Sequence, residues 1–171
     1  MALQPGTAKQ VPDHSIMDYF NKQTYLGNQY SVNLASTIGS SETPILLLNN
    51  TNVNTGNAIG IFQNLLQVVS LTATQNIILR SYLNPTVTGA GTASTPQNSR
   101  PASTNEPTAT ITHGPSVSAN GTLISVLSGQ ALVVGISNLL TILDGGEVML
   151  ITATASASST SIETILGWYE I

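Results

Sequence analysis

The side chains that could carry acid–base or metal chemistry are few and scattered. The chain holds two histidines, His14 and His113, eight carboxylates and no cysteine. A metal site built on imidazole and carboxylate needs three or four such groups at one point, and no segment carries them at ligand spacing. A thiol nucleophile, a cysteine-based metal site and a disulfide framework are excluded outright. Serine is abundant, at 19 residues, yet neither histidine lies in a recognisable nucleophile context and no Gly-x-Ser-x-Gly elbow occurs. Asp144 and Glu147 are close in sequence, but they flank Gly145-Gly146, where Asp is a turn former. That pair reads as turn chemistry before it reads as a glycosidase acid pair or part of a calcium loop. Gly89-Ala90-Gly91-Thr92 lacks the lysine and the strand–helix context of a phosphate loop. Asn49-Asn50-Thr51 and Asn120-Gly121-Thr122 match the glycosylation sequon and are equally plain turn sequences. No catalytic, cofactor-binding or metal-binding residue is therefore assigned, no cofactor is expected, and an enzyme is not the expectation.

What the chain offers instead is architecture. Its 171 residues contain 7% charged residues, where an ordinary soluble domain carries about 25%. Ser, Thr, Asn and Gln account for 65 of the 171 residues, so the polar surface is neutral. Four scattered cations cannot make a nucleic-acid footprint. The 41% hydrophobic content argues against charge-driven disorder. Leu123 to Leu143 is an uncharged run of 21 residues, but its glycines, Gln130, Asn138 and hydroxyls are costly in hydrocarbon, so no membrane span is expected. Residues 1–30 lack the basic-then-apolar pattern of a secretory signal.

Residues 1–23 read as an N-terminal arm, with one helical turn over Ser15 to Phe20 whose apolar members Ile16, Met17, Tyr19 and Phe20 need a surface to lie on. Residues 24–171 read as a single domain of short strands. Tyr30 to Ala35 alternates with period two. Ile45 to Leu48 is an apolar run closed by Asn49 to Asn52, Ile59 to Leu66 fits either helix or strand, and Leu66 to Thr72 and Ile77 to Leu83 read as strands. Residues 84–108, with four prolines, read as a long loop of the kind that is functional or disordered. Asn120-Gly121 predicts a type I′ hairpin turn, and a second hairpin is expected at Asp144-Gly145-Gly146. Ile162 to Ile171 ends the chain as an alternating strand, with Trp168 and Tyr169 either in the core or at a subunit contact. No amphipathic helix of ten or more residues is evident. The expected fold is all-β: an antiparallel β-sandwich or jelly roll of about eight strands with an extended N-terminal arm.

A neutral β surface has little colloidal repulsion, and edges dressed in Thr, Ser and Asn invite pairing, because edges are ordinarily blunted by Lys or Pro. Burial against copies of the chain or against a larger particle is the simplest use of such a surface. Ile78-Leu79-Arg80-Ser81-Tyr82-Leu83-Asn84-Pro85-Thr86 followed by Gly89-Ala90-Gly91-Thr92 and Pro96, Ser118-Ala119-Asn120-Gly121-Thr122 entering a strand, and Leu143-Asp144-Gly145-Gly146 before Val148-Met149-Leu150-Ile151 together resemble accessory virion proteins of tailed bacteriophages. The resemblance covers residues 24–171 and lies in composition and turn placement. It implies a capsid decoration (cement) protein, made in the host cytoplasm and placed on the outer capsid surface of the virion. Such a protein is commonly a homotrimer bound to the major capsid protein, with no nucleic acid and no membrane among its partners. Candidate interface residues on that reading are Ile16, Met17, Tyr19 and Phe20 in the arm, Pro96 and Arg100 in the long loop, and Trp168 and Tyr169 near the C-terminus. The alternative is a tail or fibre component that binds host surface glycans, which requires an exposed aromatic platform with amides or carboxylates beside it. The chain has only eight aromatic residues for that purpose.

Overall fold

The computed structural model describes residues 16–51, 61–71, 75–134 and 141–170. They form an antiparallel β-sandwich with one helix ahead of it. Helix α1 (Ile16–Leu26) leads into β1 (Gln29–Ile38), β2 (Thr43–Asn50), β3 (Ile61–Ser70) and β4 (Ile77–Leu83). Five shorter strands follow: β5 (Thr86–Gly89), β6 (Thr92–Ser94), β7 (Gln97–Asn98), β8 (Ala109–His113) and β9 (Ser116–Ala119). The chain closes with β10 (Thr122–Gly129), β11 (Ala131–Val134), β12 (Ile142–Leu143), β13 (Val148–Ala155) and β14 (Thr160–Glu170). One sheet has the order β11-β3-β14-β1-β7, with β12 also on β3, and the facing sheet has the order β10-β4-β13-β2-β8-β6.

The pairing is nested. β1 pairs with β14 and β2 with β13, while β3 pairs with β11 and β4 with β10. Early and late strands thus form antiparallel ribbons that step together from one sheet to the other. The inner faces fill a single core containing Tyr30, Val32, Leu46, Leu48, Leu66, Leu79, Ile111, Met149, Ile151, Ile162, Leu166 and Trp168. This follows from the period-two patterns, which place alternate residues on one face of each strand. β14 is the clearest case, with Thr160, Ile162, Thr164 and Leu166 all buried.

Three expectations are corrected. First, α1 is an 11-residue helix rather than a single turn, and it crosses the expected boundary between arm and body at residue 23. Gly27 stops it. The Asn28 N–H bonds the Gln23 carbonyl and the Gly27 N–H bonds the Thr24 carbonyl, each at 3.0 Å, with Gly27 at φ 80°. That is a Schellman ending, which uses glycine because a Cβ is disfavoured at positive φ.

Second, residues 84–108 are not a structureless loop, since they contain β5, β6 and β7. β4, β5 and β6 pair in turn with β10, β9 and β8, from Ile77↔Gly129 to Ser94↔Ile111. The result is one long two-stranded ribbon with interruptions at residues 84–85 and 90–91. It leaves the second sheet beside β13 and rejoins it beside β2, so it bridges the two sides of the β13–β2 pair. Leu47 and Leu150 lie opposite each other on that pair and outside the inter-sheet core, yet they are 5% and 0% exposed. The outer face of the second sheet is thus covered too.

Third, Asn120-Gly121 is not a hairpin tip. It joins β9 to β10 along one side of the ribbon, opposite Asn84-Pro85, and residues Asn84 and Gly121 have φ values of 53° and 90°. Likewise Asp144-Gly145-Gly146 is a turn, with the Glu147 N–H on the Asp144 carbonyl at 3.0 Å, but it carries the chain from β12 in one sheet to β13 in the other. The Glu147 carboxylate accepts the Asp144 N–H at 2.9 Å, so this acid pair serves the turn. Asn49 and Asn50 belong to β2, and Asn50 donates to the Leu143 carbonyl at 2.9 Å. The uncharged run from Leu123 is strand where described, apart from Gln130 and Thr141, and no helix among the described residues is long and apolar enough to cross a membrane.

Candidate functional site

Three surfaces could do something beyond holding the fold. The first is the end of α1. The carbonyls of Tyr25, Leu26 and Gly27 face β7 and the segment after it, which supply a donor to each of them. Arg100 Nη1 donates to the Tyr25 carbonyl at 2.7 Å, Asn105 Nδ2 to the Leu26 carbonyl at 3.0 Å, and Asn98 Nδ2 to the Gly27 carbonyl at 2.8 Å. The Arg100 guanidinium also sits 5.1 Å from the centre of the Tyr25 ring. A cation at the negative end of a helix dipole is favourable, and cation–π stacking adds to it. Tyr25 remains 73% exposed, so an aromatic–arginine pair stands on the surface beside Leu26.

The second surface is a cleft of about 510 Å³, lined by Thr37 on β1, Pro44 and Ile45 on β2, Leu71 after β3, His113 on β8 and Ile162 on β14, among others. Ser36 Oγ and His113 Nε2 lie 3.1 Å apart in it, an arrangement in which the imidazole could accept a hydroxyl proton. Catalysis by such a pair also needs a group that orients the base and donors that meet an oxyanion. Among the described residues no carboxylate bonds His113, and the Gly114 N–H is spent on the Ile45 carbonyl at 3.1 Å. The cleft lining mixes apolar side chains with Ser36, Thr37, Thr43, His113 and Ser161, and includes no carboxylate.

The third surface is the β10 edge. β10 ends the second sheet and pairs only with β4 among the described strands. Its Leu123, Ile124 and Val126 are 50%, 39% and 52% exposed. The register shifts between Leu123 and Ser125, which leaves Ile124 without a cross-strand partner on β4.

The sequence-derived interface residues fall in different places. Ile16, Met17, Tyr19 and Phe20 lie in α1, whose last turn meets β14 through Thr24 Oγ1, 3.3 Å from the Tyr169 hydroxyl. Tyr169 is buried on the outer face of the first sheet, and Trp168 is in the core, its ring 5.9 Å from that of Tyr30. This is the core-strand alternative for the C-terminal segment. Pro96 is half-buried between β6 and β7, whereas Arg100 is exposed and caps α1. Arg80 faces an acid, 3.9 Å from Glu42. The same carboxylate accepts from Thr152 Oγ1 at 2.6 Å and Tyr82 Oη at 2.8 Å on the outer face of the second sheet. Burial first, and then the hydrogen bond to Glu42, holds the Tyr82 hydroxyl above its usual range.

Sequence reasoning missed Tyr25, Leu71 and the β10 trio as surface features. The exposure of the trio follows from β10 being an edge strand, which is a property of strand order. Comparison with known proteins found no matching family model, no matching curated protein and no matching solved structure.

Proposed function

We propose that this chain is a structural virion protein, a capsid decoration protein that binds the outer head of a tailed bacteriophage as a homotrimer and stabilises contacts between capsomers. The observation that carries the reading is the nested strand pairing: β1 with β14, β2 with β13, β3 with β11 and β4 with β10, shared between two sheets. That order supports a jelly roll, an architecture used by viral capsid proteins, lectins and cupins. Fold alone does not choose among them. The inner faces here are filled mainly by Leu, Ile, Met and Trp side chains, with Thr160 and Thr164 among them on β14, and the described residues hold no group of three or more His, Asp or Glu that could hold a metal. The neutral surface and open β10 edge favour assembly.

The mechanism is mechanical. Apolar area buried across neighbouring capsomers resists their separation at roughly 25 cal/mol per Å² before association costs. Repetition over equivalent sites adds avidity. The head-facing contact is assigned to the Tyr25–Arg100 pair, since tyrosine and arginine are enriched among residues that dominate interface energy. Deleting the gene from the virus that encodes it tests the reading: particles lacking the protein lose infectivity at lower temperature than intact ones. Equal heat and pressure resistance with and without it would sink the proposal.

A second reading, glycan binding by a tail or fibre component, has one observation in its favour, the exposed Tyr25 ring with amides nearby. The Asn98 and Asn105 amide nitrogens are already committed to the carbonyls of Gly27 and Leu26 at the end of α1, so they serve the fold before a sugar. A glycan array separates the two readings.

A further inference from the structure

We infer that copies of this chain join head to tail, the β10 edge of one copy seating on the β1 edge and the adjoining apolar cleft of the next. The inference rests on the assembly reading above and names the surfaces that would build it.

Each surface has what the other lacks. The β10 strand exposes an apolar strip of Leu123, Ile124 and Val126. The cleft is an apolar recess of about 510 Å³ whose wall includes Pro44, Ile45 and Ile162, with Leu71 58% exposed at its margin. Among the described strands both surfaces also offer unpaired backbone. There β10 has β4 on one side only. β1 pairs with β7 only at Tyr30 and Ser31, so from Val32 to Ile38 it has β14 alone among the described strands. Strand addition to such an edge gives main-chain hydrogen bonds, while side-chain recesses set the register.

Charge favours a second copy as the occupant. The chain carries a formal net charge of −4, so most like-to-like contacts bring acids together. These two surfaces carry little of that penalty, Glu163 opposite Ala35 being the acid that stands beside the β1 edge. No Lys, Arg, Asp or Glu occurs from Pro107 to Leu143, which includes all of β10. None of the residues lining the cleft is an acid or a permanent cation.

Placement decides the symmetry. β10 and β11 follow each other through Gln130 alone and end the two sheets on one side of the sandwich. β1 and β8 lie toward the opposite ends of the same two sheet orders. A contact between opposite sides cannot be two-fold. It is heterologous, and it closes into a ring when the rotation per step allows, as in a trimer.

The test uses full-length chains and native mass spectrometry. Variant one carries Ile124→Lys and Val126→Lys, and variant two carries Ala35→Lys and Thr37→Lys. Wild type should run as a trimer and each variant alone as a monomer, while their equimolar mixture should give a two-chain species with one of each, because each variant keeps the surface the other has lost. A monomeric wild type, a variant two that still assembles alone, or a mixture that stays monomeric would each overturn the inference. Should the lysine variants unfold, the cysteine-free background supplies a second route. Val126→Cys mixed with Thr37→Cys should oxidise to a disulfide-linked pair of one copy of each, and a mixture that forms no such link would overturn the inference as well. A trimer built this way that is missing from particles would spare the inference and defeat the decoration reading. A monomer that still coats heads would do the reverse.

Discussion

Trp168 Nε1 donates to Glu170 Oε1 at 3.1 Å, and this bond joins the core to the opening between the sheets. The same carboxylate accepts the Thr108 N–H at 2.7 Å and the Ala109 N–H at 2.9 Å. Glu170 belongs to β14 in the first sheet and Ala109 opens β8 in the second, so one buried side chain ties the two layers together at the start of β8. Hydrogen bonds to a charged acceptor are stronger than neutral ones.

Removing that acceptor leaves three donors without a partner. Each buried unsatisfied group costs about 1–3 kcal/mol, so Glu170→Ala should lower stability by about 3 kcal/mol or more. Glu170→Gln retains one acceptor and should cost less. Urea unfolding of the two variants beside wild type measures the difference. Equal midpoints for wild type and Glu170→Ala would show that the clamp contributes nothing.

Tyr30 gives a pH dependence. Its hydroxyl is pushed up to about 12 by burial first, then by the charges of Glu170 and Glu106. The folded value lies above the unfolded value near 10, so the neutral phenol is favoured in the native state. That contribution is complete below pH 10 and disappears as pH rises through 12. Thermal unfolding should therefore show a loss of stability from pH 10 to pH 12, and Tyr30→Phe should lessen it. A Tyr30→Phe variant with the wild-type alkaline slope would contradict the assignment.

The ribbon bend makes a backbone prediction. A Cβ at Gly121 would run into the Leu83 carbonyl oxygen, and the φ of 90° is strained for any residue with a side chain. Gly121→Ala should cost about 2 kcal/mol or more, seen as a lower Tm. A Tm within a degree or so of wild type would mean that the bend is not built as described.

The Arg100 contacts predict a local effect. Arg100→Ala removes the cation from the end of α1 and its bond to the Tyr25 carbonyl. Such dipole and capping terms are worth about 1 kcal/mol. Amide hydrogens of α1 should exchange faster in this variant, while those of β13 and β14 keep their protection. Unchanged exchange in α1 would show that Arg100 does not hold the helix.

These relationships separate what the sequence declares from what it hides. Tyr30 to Ala35, Ile77 to Leu83 and Ile162 onward are legible because alternation is a local consequence of one face being buried. Helix α1 had a readable stop in Gly27, but its first residues mix Asp, Tyr, Phe and Asn without a clean apolar stripe. Asn120-Gly121 misled because a tolerance of positive φ serves a bend in a paired ribbon as well as a hairpin tip. The Glu170 clamp and the Arg100 cap join residues 61 and 75 positions apart, respectively, and no local pattern encodes such contacts. The same holds for the candidate surfaces, since β10 is an edge only once the strand order is known.

Imaging tests the proposal that this protein coats a phage head. Heads from the virus that encodes the chain, with the gene intact and with it deleted, would be reconstructed by cryo-electron microscopy and subtracted. The expected result is difference density on the outer shell in three-fold units, each matching three sandwiches joined edge to cleft. Identical heads, or difference density at the tail fibres alone, would contradict it.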